Sequence, residues 1–208
     1  MKRTLVVYSS NRLVEEQTAQ SFAALVAAGA GLIAQRETAD VGLARNVALS
    51  MALLALRSGE HDVVLMADDD VVFGVGQAQE LVDQARYSGR PCSGAYVLAD
   101  GRLAARWTGE TWHTGLGFLA IPAPVLVALA ATLPTFRDGG PFELTEFTYA
   151  KSEPTPEGGR SWLPEDYRLC ANLGGVRLLP VCVAHVKKRL LYANPETLPA
   201  FIAETERK

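Results

Sequence analysis

The chain has 208 residues, enough for one large domain with its own core, and its 49% hydrophobic content is ordinary for a soluble globular protein. The formal net charge of −3 gives no general pull toward nucleic acid or an anionic membrane, and no apolar run is long enough for a transmembrane segment. Cys92, Cys170 and Cys182 are far apart, with neither metal spacing nor a disulfide framework, so a reducing, cytoplasmic location is expected.

The opening "MKRTLVVYSS" is basic and then apolar, but its apolar part is too short for a secretory signal and no small-residue cleavage site follows directly. "TLVVYSS" reads instead as a strand with a polar carboxyl end. "LVEEQTAQSFAALVAAG" has helical spacing and stops at Gly29. "GLIAQRE" is a second strand, "VGLARNVALSMALLALRSG" a long helix closed by glycine, and "DVVLMA" a continuous apolar run, as in a strand buried on both faces. Strand, helix, strand, helix, strand predicts a parallel sheet with helices on its faces.

The second half is less regular. "QAQELVDQARYSG" reads as a helix, and "RPCSGAYVLADGRLAARW" as two extended segments around a turn at Asp100-Gly101. "GLGFLAIP" is a strand ended by proline, and "APVLVALAATLP" a helix. Residues 135 to 161 are rich in Pro, Gly, Glu and Thr with little periodicity, which predicts a mobile, functional loop. "LPEDYRLCANLGG" is a helix with Pro164 near its first turn, "VRLLPVCVAHV" is one strand or two, and "PETLPAFIAETE" is a terminal helix. No repeat or linker interrupts the chain, so residues 1 to 208 are read as a single domain.

"VLMADDDVVF" (64 to 73) places three carboxylates where a buried strand ends, although carboxylates repel one another and resist burial. In open α/β sheets ligands bind at the carboxyl edge. Asp68 and Asp70, two apart, share a side if the chain stays extended. Two hard oxygen ligands suit Mg²⁺ or Mn²⁺, which take phosphate oxygens and waters for the rest. The plain alternative is a solvated acidic turn capping the next helix. Asp69 points the other way, toward a backbone turn or a ribose.

Several stretches in order then resemble one family: "ARNVAL" before the strand with "DDD", then "SGAYVL", "GLGFLAIP", "PEDYRLC" and "AHVKKR". The chain resembles the GT-A-fold glycosyltransferases, specifically the small family 2-like enzymes common in bacteria and their phages, over roughly residues 3 to 190. The resemblance implies an α/β fold with a mixed, mostly parallel sheet flanked by helices. It implies a nucleotide-diphosphate-sugar donor, gripped through Mn²⁺ or Mg²⁺ by Asp68 and Asp70, with His185 completing the metal site. It makes Asp166 the general base and Glu165 its partner. Ser9, Ser10, Asn11 and Arg12 in the first βα loop match nucleoside contacts, and Arg45 matches a residue near the base or the diphosphate. The acceptor is a saccharide, a small molecule or, for a phage-encoded enzyme working in host cytoplasm, a modified DNA base. The insertion "GGPFELTEFTYAKSEPTPEGGR" and the "KKR" after the histidine depart from relatives and leave the acceptor side open.

Other candidates complete the reading. Lys187, Lys188 and Arg189 fit electrostatic stabilisation of a departing diphosphate, phosphate-backbone contact, or plain solvated charge. Trp107, Trp112 and His113 fit stacking on a sugar or base, or the core. Gly115 and Gly117 fit close backbone approach to a ligand, or tight strand packing. Trp162 fits a lid. An apolar strand followed by D-x-D also matches the nucleophile motif of haloacid-dehalogenase-type phosphatases, though there it lies on the first strand of the domain. A nucleotide-sugar-binding relative without catalysis is the non-enzyme reading.

Overall fold

In the computed structural model, residues 1–10, 14–36, 40–98, 100–140, 142–148, 151–154, 160–186 and 190–207 are described, with backbone alone for 9, 10, 36, 151–154, 160–163 and 190–192. In chain order the elements are β1 (Thr4–Ser10), α1 (Glu16–Ala27), β2 (Gly31–Arg36), α2 (Val41–Leu56), β3 (Val63–Ala67), β4 (Val71–Val72), α3 (Val75–Ser88), β5 (Cys92–Ala95), β6 (Ala105–Trp107), β7 (Trp112–Thr114) and β8 (Phe118–Pro122). They continue with α4 (Ala123–Ala130), β9 (Thr135–Phe136), β10 (Leu144–Thr145), β11 (Lys151–Pro154), β12 (Arg160–Leu163), α5 (Glu165–Asn172), β13 (Arg177–Cys182), β14 (Ala184–Val186), β15 (Leu190–Tyr192) and α6 (Leu198–Thr205).

Local chemistry sets several boundaries. Asp40 caps α2, its Oδ1 accepting the Leu43 N–H at 2.7 Å. Gly89, at φ 65°, closes α3 in the left-handed conformation that costs glycine least. No helix among the described residues is long and apolar enough to cross a membrane.

The central sheet has six strands in the order β13-β5-β8-β3-β1-β2. β1 pairs in parallel with β2 and β3, and β13 with β5, while β8 runs antiparallel to both β3 and β5. The sheet is therefore mixed and mostly parallel, as expected. The reversal of β8 has a simple cause. Parallel neighbours need a long crossover, but β5 leads into the antiparallel β6–β7 hairpin, and the chain re-enters the sheet with no intervening helix.

Strand alternation sorts the core into two layers. Leu5, Val7, Val64 and Met66 face α2, α4, α5 and α6, through Ala48, Leu49, Leu126, Leu169 and Ile202 among others. Val6, Tyr8, Val63, Leu65 and Ala67 face α1 and α3, through Phe22, Leu25, Leu81 and Val82. β3, buried at every position, is covered on both sides.

Two smaller features shape the sheet's carboxyl edge. β4, just after the acidic triplet, pairs antiparallel with β14, setting His185 opposite Val71, and β14 pairs with β15. The stretch expected to be a loop carries β9 to β12, and its Leu144, Thr145, Phe147 and Thr148 are buried. Asn46 of α2 organises this part: its Oδ1 accepts the backbone N–H groups of Phe147 (2.8 Å) and Thr148 (2.9 Å) and the Thr148 hydroxyl (3.1 Å).

Leaving a buried N–H unpaired costs about 1–3 kcal/mol. Asn46→Ala is therefore expected to lower stability by about 2–4 kcal/mol, read as a lower urea midpoint at unchanged slope. A midpoint within error of the parent would show that the 142–148 segment does not depend on this side chain.

Candidate active site

β3 ends at Ala67 and delivers the acidic triplet to the edge of the sheet, where the backbone is tied on three sides. The Asp68 N–H donates to the Gly117 carbonyl at 3.1 Å, the Asp69 carbonyl accepts from Glu15 N–H at 3.2 Å, and the Asp70 carbonyl accepts from Val186 N–H at 2.7 Å. These bonds hold the approach to β8, the start of α1 and the end of β14 around the triplet. Asp70 is buried, and Asp68 and Asp69 are half-buried.

Two groups of polar side chains converge there. Arg45, from the buried face of α2, directs Nη2 at Asp68 Oδ1 (3.1 Å) and Oδ2 (3.2 Å), and Nη1 at Glu165 Oε1 (3.3 Å). Burial works against the guanidinium's charge, but Asp68 and then Glu165 outweigh it and the pKa is raised. In the second group His185 Nδ1 lies 2.9 Å from the Val97 carbonyl oxygen, and Nε2 lies 3.4 Å from Asp70 Oδ1. A carbonyl only accepts, so Nδ1 carries the hydrogen, and a neutral ring turns its Nε2 lone pair toward the carboxylate. Two acceptors face to face call for a cation between them, either a proton on Nε2 or a metal ion.

Asp166 follows Glu165 in the first turn of α5, and its Oδ1 accepts the Tyr167 N–H at 2.8 Å. Burial pushes its pKa up, and the neighbouring Glu165 charge adds to this against the opposing pull of the Tyr167 N–H and Arg45. Beside it, the rings of Tyr167 and His113 meet edge-on at 5.8 Å.

Of the expected site residues, Arg45, Asp68 and Glu165 are brought into one network, Asp70 and His185 into another, and Asp166 sits on the same turn as Glu165. Asn11, Arg12 and the 187–189 tract with Lys187 lie outside the described residues, as do the side chains of Ser9, Ser10 and Trp162. Among the described residues no group of three or more His, Cys, Asp or Glu side chains is assembled to hold a metal ion. Trp112 belongs to the core, 2% exposed, with Nε1 donating to Glu206 Oε1 at 3.0 Å.

Tyr96 was not singled out by the sequence. Its hydroxyl accepts the Gly117 N–H at 3.2 Å and its ring meets His185 edge-on at 5.2 Å. A Cβ on Gly115 would lie 2.1 Å from that hydroxyl, and one on Gly117 would lie 2.8 Å from it and 3.1 Å from Asp68 Oδ2. The two glycines thus make room for Tyr96, and the G-x-G spacing was the available signal of a bulky group packed against the strand.

No protein-family model matches the sequence, and no curated protein matches it. Among solved structures, A197 from STIV aligns over 92% of this chain and 94% of its own, at 18% identity and a TM-score of 0.55. The chain shares its fold with A197. A glycosyltransferase involved in the glycosylation of the major capsid of PBCV-1 aligns over 60% of this chain and 63% of its own, at 8% identity and a TM-score of 0.34, and is at most a distant neighbour.

The raised Asp166 pKa gives a signed prediction. The native state keeps the proton to higher pH than the unfolded chain, so stability falls as pH rises from the ordinary aspartate range through the raised value. Asp166→Asn should remove that slope and raise Tm at neutral pH, read from thermal melts between about pH 3.5 and 7. A lower Tm at neutral pH would mark the carboxylate as a stabilising first-turn acid instead.

Proposed function

We propose that this protein is a metal-dependent glycosyltransferase of GT-A type, moving a sugar from a nucleotide-diphosphate donor to a hydroxyl of its acceptor. The observation that carries the proposal is the facing pair Asp70 Oδ1 and His185 Nε2, 3.4 Å apart at the carboxyl edge of the sheet, with Asp166 on the neighbouring helix start. The ordered motifs of the sequence support the same reading.

The residues fit a divalent ion held jointly with phosphate. Ions of this kind need only one or two protein carboxylates and take substrate oxygens for the rest. An imidazole in the set favours Mn²⁺ over Mg²⁺. Such an ion neutralises charge on a leaving nucleoside diphosphate. The chain's own residues do the remainder. Asp166, buried enough to hold a raised pKa, accepts the proton of the acceptor hydroxyl as its oxygen bonds the anomeric carbon and the bond to the diphosphate breaks. With such a base the outcome is inversion. Glu165 orients the acceptor. Ser9, Ser10, Asn11 and Arg12 are assigned to the nucleoside, Asp69 to the ribose or a backbone turn, and Lys187 to the departing diphosphate, all on the sequence resemblance.

The phosphatase reading requires Asp68 as nucleophile. Its two carboxylate oxygens are both hydrogen-bonded by Arg45, which withdraws the electron density an attack on phosphorus needs.

A thermal-shift screen of nucleotide-sugars with and without Mn²⁺ finds the donor, because a specific ligand raises apparent stability by mass action. Asp70→Asn and His185→Gln should then abolish Mn²⁺-dependent nucleoside-diphosphate binding in calorimetry. Asp166→Asn should leave that affinity intact while transfer falls on the order of 10²–10⁴-fold. Unchanged affinity in the first two variants, or near-normal transfer by the third, would contradict these assignments.

A further inference from the structure

Arg45 is a buried charged group in the site to which the proposed reaction gives no step. Its side chain is 9% exposed, while those of its partners Asp68 and Glu165 are 28% and 33% exposed. The carboxylates therefore line the opening and the guanidinium lies beneath them. A buried cation is expensive even when paired, and this one leaves its Nε buried with no hydrogen-bond partner among the described residues. As a stability device the arrangement is poor. What it accomplishes is a junction: one planar cation from α2 reaches the end of β3 with one nitrogen and the first turn of α5 with the other.

We propose that Arg45 is a positioning residue that clamps the first turn of α5, and Asp166 with it, to the acidic triplet, with Asp68 serving as its anchor rather than as a metal ligand. The two aspartates of D-x-D then have different jobs. Asp70, paired with His185, takes the ion, and Asp68 holds the arginine. The clamp's effect on rate rests on the transferase reading above; the division of labour between Asp68 and Asp70 can be tested through metal binding alone.

The clamp also sets charge around the base. Asp166 is faced by Glu165 and Tyr167 on α5, Cys170 one turn on, Arg45 on α2 and Tyr96 after β5. Arg45 is the cation among these groups. Removing its charge lifts the Asp166 pKa further, and keeping the charge without the fork leaves the pKa in place but frees the helix start.

The test uses the full chain with Mn²⁺ as probe, followed by loss of the free-ion signal in electron paramagnetic resonance. Donor turnover against pH is measured on the same samples, as sugar transfer or as donor hydrolysis. Asp68→Asn should bind Mn²⁺ nearly as the parent does, while Asp70→Asn should lose at least about tenfold in affinity. Arg45→Lys should lower kcat on the order of 10²-fold through misplacement, with the acid limb of the pH profile unmoved and Mn²⁺ affinity kept. Arg45→Gln should lower kcat as well and move the acid limb to higher pH. A purely structural arginine would lower stability in both variants without separating their pH profiles. Equal loss of Mn²⁺ affinity in Asp68→Asn and Asp70→Asn overturns the proposal, and so does an Arg45→Lys enzyme with parental kcat. If Arg45→Gln does not fold, Asp68→Ala, which removes both acceptors of Arg45 Nη2 from a half-exposed position, should reproduce the loss of kcat, and parental kcat there is equally fatal. If no nucleotide-sugar is turned over at all, the transferase reading fails and the Mn²⁺ comparison still decides the roles of Asp68 and Asp70.

Discussion

Carboxylates gathered at the end of a strand covered on both faces lose water and repel one another, and a fold that places them there must supply positive charge within reach. Here Arg45, out of α2, supplies it to Asp68, whereas Asp70 faces the His185 ring of β14. The two aspartates thereby end in different electrostatic environments although one residue separates them. Everything proposed for the site follows from this split.

The same constraint explains why distant parts of the chain meet. β4 is two residues long, too short to be stable alone, yet its pairing with β14 fixes the position of His185. The Asp70 carbonyl joins that ladder through Val186 N–H. On the other side Tyr96 fills the space left by Gly115 and Gly117, stacks edge-on against His185 and supports the backbone beside Asp68. A buried hydrogen-bonded tyrosine, a histidine held by a backbone carbonyl and an arginine held by two carboxylates lie together at this edge of the sheet.

Much of the architecture could be read from apolar spacing. β3 has the continuous run of a strand buried on both faces, and α1, α2 and α3 have helical periodicity with glycines after their ends. The carboxyl-edge aspartates, the acids at the start of α5 and His185 stood out as candidates in the sequence, and the fold joins Asp68 to Glu165 through Arg45 and sets Asp70 against His185. The reversal of β8 was not legible, because an apolar run looks the same in either direction and only the hairpin before it sets the sense. The partners of Arg45 were not legible either: Asp68 and Glu165 lie 23 and 120 residues away, and nothing local on α2 says that its arginine faces inward. Of the two readings open for Trp112, stacking platform or core, the structure selects the core, since β7 alternation turns it inward while His113 faces Tyr167. Asn46 passed unnoticed within "ARN", although it holds the backbone of Phe147 and Thr148.

The proposed activity requires a divalent ion and a nucleoside diphosphate to meet at the pair Asp70 and His185. The most direct measurement is a crystal structure of the parent chain grown with Mn²⁺ and the nucleoside diphosphate of its donor, with anomalous scattering recorded at the manganese edge. The expected result is one strong anomalous peak beside Asp70 and His185, with Arg45 still bonded to Asp68. A peak elsewhere on the chain, or a diphosphate bound with His185 and Asp70 still in direct contact and no metal between them, would contradict it.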